Sequence, residues 1–168
     1  MKYQSILQNH LKIIIGEKLD SLNLACDMML FSFGNYALHA QCLARIIYKN
    51  DILVTTTDYL NWDCQTDMNN DEWYFVNKYK SQIVGGVVQS VKVSALNDVK
   101  ITLDNGIIIE LFVENGYHHF AEESEQWVFF KHDDYSYPYI AVNSKTVDIL
   151  KTDDRMDEIA FDNLKKTK

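Results

Sequence analysis

Val99-Lys100-Ile101-Thr102-Leu103-Asp104-Asn105-Gly106-Ile107-Ile108-Ile109-Glu110-Leu111-Phe112-Val113 is the stretch that decides the fold. Two apolar-rich runs flank a polar turn. With Asp104-Asn105-Gly106 as a three-residue loop and Gly106 at the left-handed position, Leu103 faces Ile107, Ile101 faces Ile109 and Val99 faces Leu111. The other face then pairs Lys100 with Glu110. A two-residue Asn-Gly loop would instead set Glu110 level with Ile101 and carry Leu111 to the face of Lys100, because a slip of one residue exchanges the faces. The three-residue register keeps the apolar side chains together, so the stretch reads as an antiparallel hairpin.

A second hairpin precedes it. Gly34-Asn35, between Phe33 and Tyr36, reads as a two-residue turn joining strands near 22–33 and 36–48. That register sets Phe33 against Tyr36, Phe31 against Leu38, Met29 against Ala40, Asp27 against Cys42 and Ala25 against Ala44. The opposite face carries Leu22, Leu24, Met28, Leu30 and Ser32 against Ala37, His39, Gln41, Leu43, Arg45 and Ile47. Both faces are apolar enough to be partly covered.

Further along, Ile52 to Thr57 reads as a strand rich in β-branched residues, followed by a polar segment, 58–70, that suits a binding loop. Asn69 with Glu72 resembles a capping pair, and Trp73, Val76, Tyr79 and Ile83 recur at helical spacing, giving a helix over about 71–83 before Gly85-Gly86. Val87, Gln89, Val91 and Val93 then alternate with Val88, Ser90, Lys92 and Ser94. Residues 126–131 and 139–142 add strands. At the beginning, Tyr3, Ile6, Leu7, His10 and Leu11 suggest a helix over 3–14, although Ile13 to Ile15 equally suit the start of a strand. From Thr152 onward acids come early and lysines late, with Met156, Ile159 and Ala160 on one side, which reads as a terminal helix.

Strands in succession with few helices give an α+β domain: a mainly antiparallel sheet, curved and open to closure as a barrel, with two or three peripheral helices. One Pro and six scattered Gly leave no linker, so residues 1–168 read as a single domain with 1–12 and 152–168 peripheral. With 47% hydrophobic residues the chain has material for a substantial core.

The formal charge of −8 opposes binding to a phosphate backbone, so nucleic acid is not the expected partner. Excess acid reads either as solubility or as a surface complementary to a basic protein. Cys26, Cys42 and Cys64 cannot all pair within the chain and form no metal-binding spacing, which suits reduced thiols. Neither a secretory start nor a spanning apolar run is legible, so the expected place is the cytoplasm, away from a membrane. The oligomeric state is not legible.

For chemistry, His118-His119-Phe120-Ala121-Glu122-Glu123 is the densest polar cluster. In a helix it would stack His118 over Glu122 and His119 over Glu123, a weak metal candidate that no second ligand group completes. Asp27 falls in an apolar row and must be satisfied by a partner or titrate high, either as a structural carboxylate or as part of a ligand pocket. His39, Gln41 and Arg45 share one strand face at period two, a row that suits an anion; equally, Arg45 bridges to an acid on a neighbouring strand and His39 is a core imidazole. Cys42 and His39, three residues apart on a strand, point to opposite faces, so a thiol–imidazole dyad fails on geometry. No nucleophile elbow, P-loop or dinucleotide fingerprint is present, and no cofactor is expected.

Ala25-Cys26-Asp27-Met28, Phe31-Ser32-Phe33-Gly34 and Tyr36-Ala37-Leu38-His39-Ala40-Gln41-Cys42-Leu43-Ala44-Arg45-Ile46, with the later Asn105-Gly106 turn and Glu125-Gln126-Trp127, carry a resemblance. The chain resembles a family of small bacterial proteins, some encoded near secreted polymorphic toxins and suspected of being immunity proteins. That resemblance implies a cytoplasmic, non-enzymatic protein-binding module, with the acidic charge suiting a basic toxin domain. Candidate aromatic anchors are Trp62, Trp73, Tyr74, Tyr135, Tyr137 and Tyr139. The rival reading is a small-molecule-binding domain or enzyme with a pocket around Asp27, His39 and Arg45. A third is self-association through a sheet edge.

Overall fold

Leu103 and Ile107 do flank the Asp104-Asn105-Gly106 turn, in the register the apolar pattern demands. In the computed structural model Val99 pairs with Leu111, Lys100 with Glu110 and Ile101 with Ile109, and Gly106 takes φ +85°. The structure describes residues 3–25, 28–62, 64–66, 70–115, 123–134 and 137–150. The expected terminal helix from residue 152 lies outside them, as do Cys26, Asp27, Asn69, His118, His119, Glu122 and Tyr135.

In chain order the strands are β1 (Leu19–Ala25), β2 (Met28–Phe33), β3 (Tyr36–Ala40), β4 (Leu43–Tyr48), β5 (Asp51–Thr55), β6 (Val88–Val93), β7 (Val99–Leu103), β8 (Ile107–Phe112), β9 (Glu125–Lys131), β10 (Tyr139–Asn143) and β11 (Val147–Leu150). Helix α1 spans Gln4–Leu11 and α2 spans Asp71–Ile83, with 3-10 turns at Lys12–Ile14 and Thr56–Asn61. The strands form a six-stranded sheet, β1-β2-β3-β9-β10-β11, and a five-stranded sheet, β5-β4-β8-β7-β6, with every pairing antiparallel. The α+β class and its dominant antiparallel sheet are therefore observed, but the sheets do not close into a barrel.

The alternate side chains of both sheets enter one core. Phe31, Phe33, Trp127 and Phe129 come from the six-stranded sheet, and Ile46, Ile101, Ile109 and Leu111 from the other, all fully buried. Each such side chain contributes roughly 1.5–3 kcal/mol by leaving water. That shared interior explains why strands of both sheets alternate as they do. The one buried indole is also satisfied, since Trp127 Nε1 donates to the Asn97 carbonyl at 3.0 Å.

Two long strands expected around Gly34-Asn35 are four short ones. The turn itself is placed as read, with Phe33 paired to Tyr36, Phe31 to Leu38 and Met29 to Ala40. Ala25, however, pairs with Met28 rather than lying opposite Ala44, so 22–33 is the arm of β1 plus all of β2. The 36–48 strand likewise breaks at Gln41-Cys42, where the chain passes from one sheet to the other. In β6 a register shift between Val88 and Ser90 changes phase, so Val88 is buried along with Val91 and Val93 while Val87 is not.

Helices close the margins. The β6 edge meets α1 through side chains: Gln8 Nε2 donates to the Val91 carbonyl (2.8 Å), Val93 N donates to Gln8 Oε1 (2.9 Å), and Gln4 Nε2 donates to the Val93 carbonyl (2.9 Å). Two glutamines one helical turn apart thus do the work of a neighbouring strand. Residues 13–15 belong to the 3-10 turn and the bend after it, so the alternative of a strand there is not realised. Helix α2 occupies the expected 71–83, with Asn70 as its cap: the Asn70 side chain accepts from Trp73 N at 3.0 Å. It packs on β1 and β5. At its end, Asn105 Nδ2 donates to the Gln82 carbonyl at 3.0 Å, so the 99–113 turn caps α2.

Candidate functional site

The crossing at Gln41-Cys42 builds a concavity. Both backbone N–H groups, of Gln41 and Cys42, donate to the single carbonyl of Gln126 (2.8 and 2.9 Å), which turns the chain out of β3 and into β4. The Gln126 side chain, buried in the same corner, receives Glu114 N at 2.7 Å on its oxygen and donates to the Ser124 carbonyl and hydroxyl. From the other side, Thr56 Oγ1 accepts from Ala44 N at 2.9 Å, and a reciprocal cap between Thr55 and Asp58 starts the 3-10 turn. These contacts leave a cavity of about 570 Å³ lined by Gln41, Cys42, Thr56, Tyr59, Leu60 and Glu114, among others, with no lysine or arginine among the described residues of its walls.

Its electrostatics follow from burial and from the acids around it. Burial raises the Asp58 carboxyl, opposed by the Thr55 N–H and reinforced by Asp71. Burial also raises Glu125, whose carboxylate accepts from Gln41 Nε2. The Cys42 thiol is pushed up to about 12, by burial first and then by Glu114 and Asp98. A thiol held that high is not a nucleophile near neutrality. Tyr59 in its wall has its ring centre 6.0 Å from that of Trp62, and Leu60, also in the wall, is 80% exposed. The 3-10 turn that carries Tyr59 and Leu60 packs on α2.

Of the residues singled out from sequence, Gln41 lies in the cavity wall and Trp62 beside Tyr59 of that wall. Trp73 is half-buried against the core. His39 and Arg45 are not brought together. Leu38 and Ala40 point into the core, which turns His39 to the outer face of the six-stranded sheet; Ala44 and Ile46 do the same, which turns Arg45 to the outer face of the five-stranded sheet. A pocket shared by His39 and Arg45 is therefore ruled out, and Asp27 lies outside the described residues. His39 stands edge-on to Phe130 at 5.0 Å, and Arg45 bridges to Glu110 on β8 at 2.7 Å.

Among the metal candidates only Glu123 is described, and its carboxylate accepts from Lys145 N, Thr146 N and Thr146 Oγ1, which fastens the turn before β11. Tyr137 is a packing residue rather than a free anchor: its hydroxyl meets His10 Nδ1 at 3.2 Å and its ring contacts Tyr36 and Phe129. Tyr139 stacks on Phe130. Cys42, Thr56, Glu114 and Gln126 escaped sequence reading as site residues, since only the crossing between sheets brings them together. No helix among the described residues is long and apolar enough to cross a membrane. The chain matches no protein-family model, no curated protein and no solved structure.

Proposed function

We propose that this protein is a non-enzymatic binding module that recognises a basic partner protein through the crossover end of its two sheets. The observation that carries this reading is the exposed Leu60, with Tyr59 and Trp62, beside a cavity whose described wall residues include Glu114 and no lysine or arginine. Apolar and aromatic side chains supply affinity in such a surface, while the surrounding acids steer encounter and select the partner's charge. The net charge of −8 acts in the same sense. Neutralisation of a toxin encoded next to it is the particular form that the family resemblance suggests.

The test takes the product of the adjacent gene, in a catalytically inactive form, and measures binding by calorimetry at low and high salt. Leu60→Asp is expected to weaken binding by at least tenfold, and Glu114→Lys to slow association and flatten its salt dependence. Unchanged affinity in both variants, or no protection of cells by the wild-type protein, rejects the reading.

A further inference from the structure

Two turns of this molecule each hold a leucine out in water. Leu60, in the 3-10 turn, is 80% exposed, and Leu96, in the loop between β6 and β7, is 73% exposed; among the described residues no other large apolar side chain is as open. A lone surface leucine needs no explanation. Leu96, however, sits at the tip of a loop held tightly by its own hydrogen bonds. Ser94 Oγ accepts from Leu96 N and Asp98 N, both at 3.1 Å, and donates to Asp98 Oδ2 at 2.8 Å. Asn97 N donates to the Ser94 carbonyl at 3.1 Å, and Asn97 takes the left-handed φ of +68°, which asparagine tolerates. None of these bonds uses the Leu96 side chain, so a polar residue there would serve the fold equally well.

The loop is also fastened to the crossing between the sheets. The Asn97 carbonyl accepts from Trp127 Nε1 at 3.0 Å, and Asp98 Oδ1 accepts from Val113 N at 2.9 Å. The chain neighbours of those two partners, Gln126 and Glu114, are wall residues of the cavity that Leu60 also lines. Charge reports the same nearness, since Glu114 and Asp98 both act through space on the Cys42 thiol. We propose that Leu96 is a second anchor of the partner interface, which runs from Leu60 across Glu114 to the 94–98 loop. The partner it fits presents a basic strip, facing Glu114, between two apolar pockets. This inference rests on the binding role proposed above. Because both leucines ride on turns already fixed by hydrogen bonds, little loop freedom is lost when the partner closes over them, and more of the contact energy appears as affinity.

The experiment uses the full chain and the inactive product of the adjacent gene. Leu96→Asp is expected to weaken binding about tenfold in calorimetry while keeping the amide spectrum of the sheets. In the wild-type protein the Leu96 methyl signals should shift when the partner is added. If Leu60→Asp weakens binding but Leu96→Asp does not, or if the Leu96 methyl signals stay in place, the second anchor is refuted and the binding role stands. No binding by the wild-type protein overturns both. Sedimentation of the protein alone supplies the remaining outcome: a dimer that Leu96→Asp dissociates would assign this leucine to a contact between copies and overturn the proposal.

Discussion

Arg45 and Glu110 meet at 2.7 Å across neighbouring strands, and Lys100 holds the other carboxylate oxygen at 3.0 Å. One acid thus joins β4, β8 and β7 through a single row, which Lys92 extends opposite Lys100. Burial alone would raise the Glu110 carboxyl, but hydrogen bonds from Lys100 and Arg45 outweigh it and hold the group below its usual range. The guanidinium of Arg45 also rests 4.8 Å from the Phe112 ring centre.

Glu110→Gln is expected to destabilise the protein by about 1 kcal/mol, a modest figure because Arg45 and Lys100 are well solvated. It leaves Arg45, Lys100 and Lys92 in one row without their acid. A depressed carboxyl contributes stability above its unfolded pKa and loses it as pH falls through the folded one, so the difference between variant and wild type should shrink in acid. Urea unfolding at neutral pH and near pH 3 checks this; a difference undiminished in acid refutes the ionic account.

Gly86 lies against Asn105 so closely that a Cβ at position 86 would meet three atoms of that side chain at 2.5–2.8 Å. Asn105 cannot readily withdraw, since it donates to the Gln82 carbonyl and accepts from Ile107 N at 3.2 Å. Gly86→Ala should therefore cost about 1–3 kcal/mol, and Asn105→Ala about 1 kcal/mol through loss of the α2 cap. Combined, the two should cost less than their sum, because removing the Asn105 side chain clears the space that a methyl group at position 86 needs. Strict additivity in thermal unfolding would show that the two residues do not meet.

Gln8 satisfies both Val91 and Val93 on the β6 edge. Its replacement by Ala strips two hydrogen bonds from a half-buried strand margin, for an expected loss of about 1–2 kcal/mol, and re-exposes an edge able to pair with another chain. Faster exchange of the Val93 amide and a rise in light scattering on heating are the signatures. If Val93 exchanges at the wild-type rate in Gln8→Ala, the helix does not protect this edge.

How far the sequence discloses all this depends on what each stretch must signal. The 99–113 hairpin is legible because a turn with a left-handed glycine and one strictly alternating face agree on a single register. The 22–48 region misleads for a physical reason: both faces of its strands are apolar, so period-two alternation cannot show where the chain leaves one sheet at Gln41-Cys42. That two-residue crossing sends His39 and Arg45 to opposite outer faces and gathers Gln41, Cys42, Thr56 and Gln126 in one corner. Composition carries no mark of it. β11 escapes because four residues, Val147-Asp148-Ile149-Leu150, are too few to establish a period, and the phase change in β6 hides in a bulge. Trp62 is legible as an aromatic side chain in the polar 58–70 segment and Gln41 as a polar group on a strand face, whereas Glu114 and Gln126 acquire meaning only from each other.

Two half-buried imidazoles set the response to mild acid. Burial lowers His39 from its ordinary value of 6.5, with His132 adding to the effect, and burial lowers His10. The native state therefore prefers both neutral. As pH falls through 6.5 the unfolded chain binds these protons first, so stability declines and levels off only below the folded values. Asp58 and Glu125, raised by burial, act in the opposite sense, so the comparison with a histidine variant isolates the imidazole's share. Denaturant midpoints should accordingly fall between pH 7.5 and 5.5 in the wild-type protein, and fall less steeply in His39→Leu, which keeps the apolar contact with Phe130 while removing one titrating group. A wild-type midpoint that stays level across that interval, or a variant as steep as the wild type, would show that neutral His39 is not part of what the fold requires.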